Sequence, residues 1–557
     1  MTLYSRPGQI LLRAAMAGVI GPGCYSAGGG TAPPAATLYF PVALSVSEDG
    51  NVLYAVNSDF DLQYNGGTLQ SYDLYRLRRD ATALIEANTT SGSAPPANIP
   101  FVSGSQWQPN CIVSPPGAGM PLGESCSPPV RSTDYEQATV VIGAFASGLQ
   151  TSNAVLPDGR RRLFVPVRGD VTVTWADVGP TSDPNPAVRF RIDCGKDSQN
   201  RCDATHRAGN DPNQPGNTRN VVMPGEPFGI AQTEDGTAIA ITHQTDTKMS
   251  LLKSGLSSSL NANPSSVDPP TMEFVLDGLP SGGVGVAAVP HDPDAPQKRC
   301  EDPMVMDAPP CVRPAFLETS RSNAEIDLIR YYDDDGSSLN RPFLNREAAY
   351  PITSNAVGTD SRGIVIDATL RMACKAAGGD PATCAQLPAR VFFASRTPPA
   401  LGLGLIGATP PLNSGPYDPD QFMLTGNVPL PNGPSNVYLA PIVDPSGNFA
   451  LRVFVVCFDS SQVVVYDPDA PGIVSVINVG PGPFAMTFDP FSIQDVATHS
   501  PAPLADQNGV KPYRFAYVAS FTESFVQMID LDNSQPTSET FERVVFTLGQ
   551  PTLPKGQ

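Results

Sequence analysis

One turn-and-strand phrase recurs along the chain, and this repetition constrains the fold more than any other feature. The stretch SEDGNVLYAVNS at 47–58 joins an Asp-Gly turn to a run in which apolar residues alternate. Related phrases follow at 156–167, 233–243 and 443–458. A short phrase with a small residue precedes each turn, and two further apolar runs come after it. Seven such units begin, at residues 41, 152, 227, 283, 354, 435 and 483.

Seven units of four short strands predict an all-β chain that folds as a seven-bladed β-propeller of four-stranded blades. A single sheet of this size leaves both faces exposed, whereas blades stacked around an axis bury them against their neighbours. We expect the propeller to span residues 37–551 and to carry long loop insertions, the longest at 78–134 between the third and fourth strands of the first blade. Small residues are expected on the crowded innermost strands: Ala43, Ala154, Gly229, Gly285, Ala356 and Ala485.

The ten cysteines favour disulfide bonds that staple the loop insertions. Eight of them form local pairs around segments rich in Pro, Gly, Asp or Ser, a pattern typical of exported chains. Zinc is disfavoured, because 7 to 14 residues separate the partners and no histidine lies in register. Cys457 lies in an apolar strand, where an inert buried thiol is expected. The predicted pairs are Cys111 with Cys126, Cys194 with Cys202, Cys300 with Cys311, and Cys374 with Cys384.

The N-terminal segment resembles a bacterial lipoprotein signal peptide. Residues 1–24 combine Arg6 and Arg13 with a short apolar stretch, small residues and then Cys24. In such signals the cysteine becomes the lipidated first residue, so Cys24 is the predicted lipid attachment site and residues 25–36 a flexible tether. We expect a cell-envelope protein, an outer-membrane lipoprotein that faces the periplasm or the cell surface. Ordinary export with cleavage nearby would give a secreted protein instead.

Several strands resemble a known repeat. EDGNVLYAVNS with the later TLQSYDL, and likewise SSQVVVYD and ESFVQMIDL, are similar to the YVTN-type bacterial β-propeller repeat, over roughly residues 37–550. The resemblance implies the propeller fold but no single function, since that superfamily includes surface-layer proteins, assembly lipoproteins and lactonase-like enzymes. An acidic, insertion-rich chain with a lipoprotein signal is similar to propeller lipoproteins of myxobacteria.

The charge of the chain argues against nucleic acid as a partner. The formal net charge is −19 at pH 7, whereas a nucleic-acid-binding surface requires a basic face. The run Arg160-Arg161-Arg162 is the only basic cluster. It follows an Asp-Gly turn, so we expect a solvated hairpin tip there.

Residues that could carry chemistry are few. The four histidines are scattered, each expected on an exposed loop or strand end, and no Gly-x-Ser-x-Gly, P-loop or Cys-x-x-Cys-His motif occurs, so no catalytic residue is predicted. Asn153, Asn355 and Asn436 recur near the start of innermost strands. They predict either a polar ring that binds a ligand at the channel mouth, or side chains that cap a tight turn.

Two acidic loops offer oxygen ligands. Asp59 with Asp61, and the run Asp333-Asp334-Asp335, could hold Ca²⁺, although neither matches a twelve-residue calcium loop. Solvated carboxylates are the alternative interpretation. No other metal or cofactor is expected.

These features favour a non-enzymatic binding or scaffold protein of the cell envelope, with an envelope protein or a polysaccharide as its partner and contact with the membrane through the lipid anchor only. The alternative is a lactonase-like or other hydrolase with a divalent ion at the mouth of the central channel. An enzyme would bring three or four Asp, Glu, Asn or His side chains into one pocket, whereas a scaffold would expose an apolar or aromatic patch.

Overall fold

The fold is described from a computed structural model of the 557-residue chain. The description covers residues 30–552, apart from the following gaps. These gaps are 90–95, 97, 106–127, 210, 212–216, 218, 257–266, 296–297, 300–310, 334–340, 354–358, 408–419, 502–513 and 536–537.

Seven antiparallel sheets of four successive strands form the blades of a propeller, which confirms the predicted fold. The innermost strands of neighbouring blades pack side by side, and the first blade packs against the seventh, so the sheets form a ring. Separate clusters of buried apolar side chains lie between the blades, and two neighbouring sheets contribute the side chains of each cluster. Burial of both faces of every sheet is therefore achieved by the ring and not by any one blade.

Blades 1 and 2 each contain an irregular outer region. Blade 1 and its insertion comprise β1 (Pro41–Val46), β2 (Val52–Asn57), β3 (Thr68–Asp73), α1 (Leu74–Thr89), β4 (Pro129–Val130) and β5 (Glu136–Val141). Blade 2 comprises β6 (Gln150–Val155), β7 (Arg161–Val167), β8 (Thr172–Val178), α2 (Pro186–Arg189), β9 (Ile192–Asp193) and β10 (Arg207–Ala208). Its fourth strand is divided, because β9 and β10 pair with opposite ends of β8.

Blades 3 to 5 follow the regular pattern. Blade 3 comprises β11 (Pro227–Gln232), β12 (Ala238–His243), β13 (Lys248–Lys253) and β14 (Thr271–Asp277). Blade 4 comprises β15 (Gly283–Ala288), the small ribbon β16 (Lys298–Arg299) and β17 (Cys311–Val312), then β18 (Ala315–Ser320), β19 (Glu325–Tyr332) and β20 (Phe343–Pro351). Blade 5 comprises β21 (Ser361–Asp367), α3 (Thr369–Ala376), α4 (Pro381–Ala385), β22 (Ala389–Arg396), β23 (Pro399–Gly407) and β24 (Gln421–Pro429).

Blades 6 and 7 complete the ring. Blade 6 comprises β25 (Pro434–Val443), β26 (Phe449–Cys457), β27 (Gln462–Asp467) and β28 (Gly472–Asn478). Blade 7 comprises β29 (Pro483–Phe488), α5 (Ile493–Thr498), β30 (Phe515–Ser520), β31 (Phe525–Asp530) and β32 (Val544–Leu548).

The insertion of blade 1 packs against blade 7, where the first and last blades of the ring are neighbours. Strand β4 pairs in parallel with β32, and so adds a fifth strand to blade 7. Leu77, Leu84 and Ile85 of α1 are buried in one cluster with Tyr517 and Phe546 of blade 7. The insertion of blade 1 therefore contributes both a strand and buried helix side chains to blade 7.

Two predicted disulfides are present. Cys194–Cys202 and Cys374–Cys384 join Cα atoms 5.0 Å and 5.5 Å apart, and the second links α3 to α4. Cys457 is a free, buried thiol, and burial raises its pKa to about 12. The predicted partners Cys111, Cys126 and Cys300, and the side chain of Cys311, lie outside the described residues.

Two expectations about exposure are wrong. Arg162 is not solvated but buried between blades, where it bonds to Asp177 and stacks on Trp175 at 4.2 Å. His243 is also buried, and desolvation lowers its pKa to about 4. Arg162 also donates to the carbonyls of Ser254 and Asp268 in blade 3, a contact that local sequence does not reveal. In the described part of the predicted tether, the carbonyl of Thr31 accepts the N–H of Asn65.

Candidate functional site: the channel mouth

The seven innermost strands enclose a central cavity of about 390 Å³. The residues that line it lie near the start of these strands, at the end of the ring where the second strand of each blade ends, since Pro41 pairs with Asn57 and Pro483 with Ser520. We call this end the mouth. The loops between second and third strands lie here as well, so residues distant in sequence converge on it.

Each innermost strand presents the same backbone pattern at the mouth. The residue that precedes the channel-lining segment has a positive φ, from 50° in Phe40 to 83° in Gly282. We call this the left-handed position. In order of blades it is occupied by Phe40, Phe145, Glu226, Gly282, Asp360, Gly433 and Gly482.

Three residues further on, the strands approach their neighbours closely. A Cβ added to Gly229 would lie 2.4 Å from the carbonyl oxygen of Val284, and one added to Gly285 would lie 2.2 Å from that of Arg362. The sequence-based expectation of small residues on the crowded inner strands therefore has a direct cause. In order of blades this small position holds Ala43, Gly148, Gly229, Gly285, Gly363, Asn436 and Ala485.

The structure describes two of the three predicted channel asparagines. Of these two, Asn436 lines the cavity, and its side chain donates to the carbonyl of Phe484 in the next blade at 2.8 Å. Asn153 lies beyond the channel-lining part of blade 2 and donates to Thr233 at 2.9 Å. Asn355 is outside the described residues, and the innermost strand of its blade begins only at Ser361. The repeat was therefore out of register in blades 2 and 5, where similar letters (SNAV) occur away from the strand start.

One half of the mouth is aromatic. We call the side chains that form it the aromatic arc: Tyr39, Phe40, Phe60, Tyr64, Phe145, Phe458, Phe484 and Phe521. The arc belongs to blades 6, 7, 1 and 2. Phe60 contacts the rings of Phe40, Phe145 and Phe521, with centroid distances of 6.1, 5.6 and 5.3 Å. Phe484 extends the arc into the cavity.

The loop between β2 and β3 exposes apolar side chains above this arc. Phe60 is 48% exposed and Leu62 is 45% exposed, and Asp59 and Leu62 both have a positive φ. The carboxylate of Asp59 accepts the backbone N–H of Tyr64 at 3.2 Å. Burial raises the pKa of Asp59 to about 7. A non-glycine residue in the left-handed region costs about 1–2 kcal/mol, so this loop holds its apolar tip outward at an energetic cost.

The opposite half of the mouth is charged. We call this cluster the arginine group: Arg321, Arg362 and Arg396 with Asp360 and Asp459. It belongs mainly to blades 4 and 5, which in a ring of seven lie across the axis from blade 1. Asp360 occupies the left-handed position and bonds Arg362 at 3.0 Å. Sequence reasoning missed both halves, because their members are adjacent only after the ring has closed.

The remaining predicted ligands lie apart: Asp59 and Asp61 belong to the β2–β3 loop at the mouth, Asp333 lies elsewhere, and Asp334 and Asp335 are outside the described residues. The hydroxyl of Tyr39 donates to Asp61, while Asp333 pairs with Lys253 elsewhere. Within the described ranges no three His, Cys, Asp or Glu side chains are grouped so that they could hold a metal ion. The calcium site stays a prediction, and Cys24 lies outside the described residues. Among the helices that the structure describes, none is long and apolar enough to span a bilayer.

Comparisons with known proteins give distant similarities only. No protein-family model and no curated protein matches the chain, so its resemblance to the YVTN repeat stays a prediction. Among solved structures, it is similar to a periplasmic gluconolactonase from Pseudomonas aeruginosa, with 12% identity, a TM-score of 0.40, and 79% of this chain and 86% of the other covered. The hydrazine synthase of Kuenenia stuttgartiensis is 10% identical with a TM-score of 0.41, and the match covers 90% of this chain and 98% of the other. The Cps50 propeller domain of Myceliophteria thermophila is 8% identical with a TM-score of 0.36, and the match covers 88% of this chain and 96% of the other.

Proposed function

We propose that this chain is a lipid-anchored binding protein of the cell envelope, which binds a partner protein at the channel mouth. The observation that carries the proposal is the aromatic arc with its half-exposed tip. Phe60 and Leu62 are held in solvent at a loop tip. Such exposed aromatic and apolar groups are what a protein partner buries at the centre of an interface.

Backbone strain at the mouth supports the same conclusion. Three blades place glycine at the left-handed position, but blades 1, 2, 3 and 5 place Phe40, Phe145, Glu226 and Asp360 there. Each of these costs about 1–2 kcal/mol relative to a relaxed backbone. Residues kept in such conformations cluster at sites of function. All four lie at the mouth.

The predicted anchor would turn this mouth toward the membrane. Six residues, 25–30, separate Cys24 from Thr31, which is bound to Asn65 in the same loop as Phe60. Six extended residues span at most about 20 Å. A lipid on Cys24 would therefore hold the aromatic arc close to the bilayer, where a membrane-associated partner protein is within reach.

The proposal is tested by placing a photo-cross-linking amino acid at position 60 in the native host. A matched control carries it at position 423, because Met423 is equally apolar and 57% exposed but lies on the outer strand of blade 5. We expect one protein adduct from position 60 and none from position 423. Equal adducts at both positions, or none at either, would contradict a protein partner at the mouth; the second result would suit a polysaccharide. The mass of the mature N-terminal peptide tests the lipid on Cys24 separately.

The hydrolase alternative has no comparable support. The polar side chains that line the cavity in the described chain are Ser147, Gln150, Arg362, Ser435, Asn436 and Tyr438. A metal-dependent hydrolase would bring carboxylate or imidazole ligands to that place. No observation therefore favours this second function over binding.

A further inference from the structure

Arg362 is the one charged side chain that lines the central cavity in the described chain. Its side chain is only 14% exposed. Nε lies 2.7 Å from Asp360 Oδ1, outside hydrogen-bonding geometry, and Nη2 donates to Asp360 Oδ2 at 3.0 Å. The described residues give Nη1 no hydrogen-bond acceptor. A largely buried guanidinium thus keeps donor capacity at the cavity wall.

The charge of Arg362 is incompletely neutralised. Arg321 shares the same carboxylate, with Nε 3.5 Å from Asp360 Oδ1. Arg396 is paired with Asp459. Three guanidinium groups therefore stand against two carboxylates. Burial lowers the pKa of Arg362, and the positive charges of Arg321 and Arg396 lower it further against the opposing effect of Asp360. One additional monoanion would balance the group.

Apolar rings line the same cavity. Phe484 belongs to both the cavity wall and the aromatic arc, and Phe228 lies in the wall of blade 3. A ligand inside this space thus meets rings on one side and a guanidinium on another. A cavity of about 390 Å³ is at the small end of the range that admits a small organic group.

We propose that the partner inserts a segment whose carboxylate pairs with Arg362 while an adjacent apolar or aromatic group packs against the arc. This inference rests on the proposed function, and it specifies the chemistry that the mouth recognises. A carboxylate suits the site because guanidinium binds it with two parallel hydrogen bonds. A single negative charge also matches the excess of one positive charge in the arginine group.

A matched pair of probes tests the inference on the purified full chain. The probes are 3-phenylpropionate and 3-phenylpropionamide, which differ in charge but hardly in shape, and their dissociation constants are measured by ligand-observed NMR. We expect the carboxylate to bind at least tenfold more tightly than the amide. R362Q should remove that difference, and R362K should keep part of it. The control is R160Q, which removes one ion-paired arginine from a turn at the other end of blade 2.

The results separate this inference from the proposed function. Equal binding of the two probes, failure of both to bind, or equal effects of R362Q and R160Q would overturn carboxylate recognition. The cross-link from position 60 does not depend on the probes. If position 60 cross-links a partner but the two probes bind equally, the proposed binding function stands and recognition of a carboxylate is rejected. Discrimination without cross-links would leave the carboxylate site, with a free acid as its ligand, and reject the partner protein. Circular dichroism of each variant confirms that it is folded.

Discussion

The two halves of the mouth use one backbone framework for opposite chemistry. Phe40 and Asp360 occupy the same left-handed position in blades 1 and 5. Phe40 is buried and packs on Phe521 at 4.9 Å, whereas Asp360 holds two arginines. Glycine fills this position in three other blades without strain. The framework therefore requires only a positive φ, and the side chain added to it varies with the surface that each blade presents.

This comparison also shows where stability and recognition separate. The aromatic half is continuous with the apolar core, because Phe484 packs against the buried clusters on both sides of blade 1. The arginine half contains like charges close together and a partly buried guanidinium. We therefore expect loss of a buried ring in the aromatic half to affect folding strongly, and changes in the arginine half to affect binding more than folding.

The largest effect is expected from Phe40→Gly. The substitution relieves the positive φ but removes a buried ring, and loss of a buried phenylalanine costs about 3–5 kcal/mol. After about 1–2 kcal/mol of relief, the free energy of unfolding should fall by roughly 1–4 kcal/mol. Urea denaturation measures it. An unchanged midpoint would show that the arc contributes nothing to folding.

A pH-dependent effect is expected from Asp59 in the aromatic half. Burial raises its pKa to about 7 in the folded protein, whereas the unfolded value is near 4. The folded state therefore holds the proton more tightly, so the stability from this group is present below about pH 4 and is lost as the pH rises toward 7. Asp59→Asn keeps a residue that tolerates a positive φ. Unfolding between pH 4 and 8 should show a smaller decline for the variant; parallel curves would contradict the burial of the carboxyl group.

A smaller change in stability is expected from Asp360→Gly, the counterpart of Phe40→Gly at the same repeat position. Glycine relieves the positive φ of 65°, while the ion pairs with Arg321 and Arg362 are lost. These terms are of similar size, so the free energy of unfolding should change by no more than about 1 kcal/mol. A loss as large as that from Phe40→Gly would show that the arginine group supports the fold.

The smallest effect on folding is expected from Phe60→Ser, since the ring is half exposed. Stability should change by less than about 1 kcal/mol, while capture of the partner should be lost. Met423→Ser provides a control for removal of an exposed apolar side chain. The readouts are thermal unfolding and the yield of the cross-linked adduct from position 62. An undiminished yield would exclude Phe60 from the interface.

The sequence predicted the blades well, and the mouth poorly, for physical reasons. Alternating apolar residues and the turns before them are local signals, so β2, β12 and β26 lie close to their predicted runs. A positive φ is not tied to one residue type, since Phe40, Glu226 and Asp360 all adopt it. The proline or small residue after the left-handed position, as in Pro41, was the one available marker. Ring contacts such as Phe40 with Phe521 arise only on closure.

The most direct test of the central claim is hydrogen exchange of the chain alone and in complex with its captured partner. The claim is that both halves of the mouth bind one partner. It predicts that binding slows exchange at residues 58–67 and 320–325 together, because these two segments lie at the mouth across the axis from each other. Exchange at the outer strand 421–429 should not change. Protection of only one mouth segment would reduce the site to half of the mouth. Protection confined to 421–429 would contradict the account.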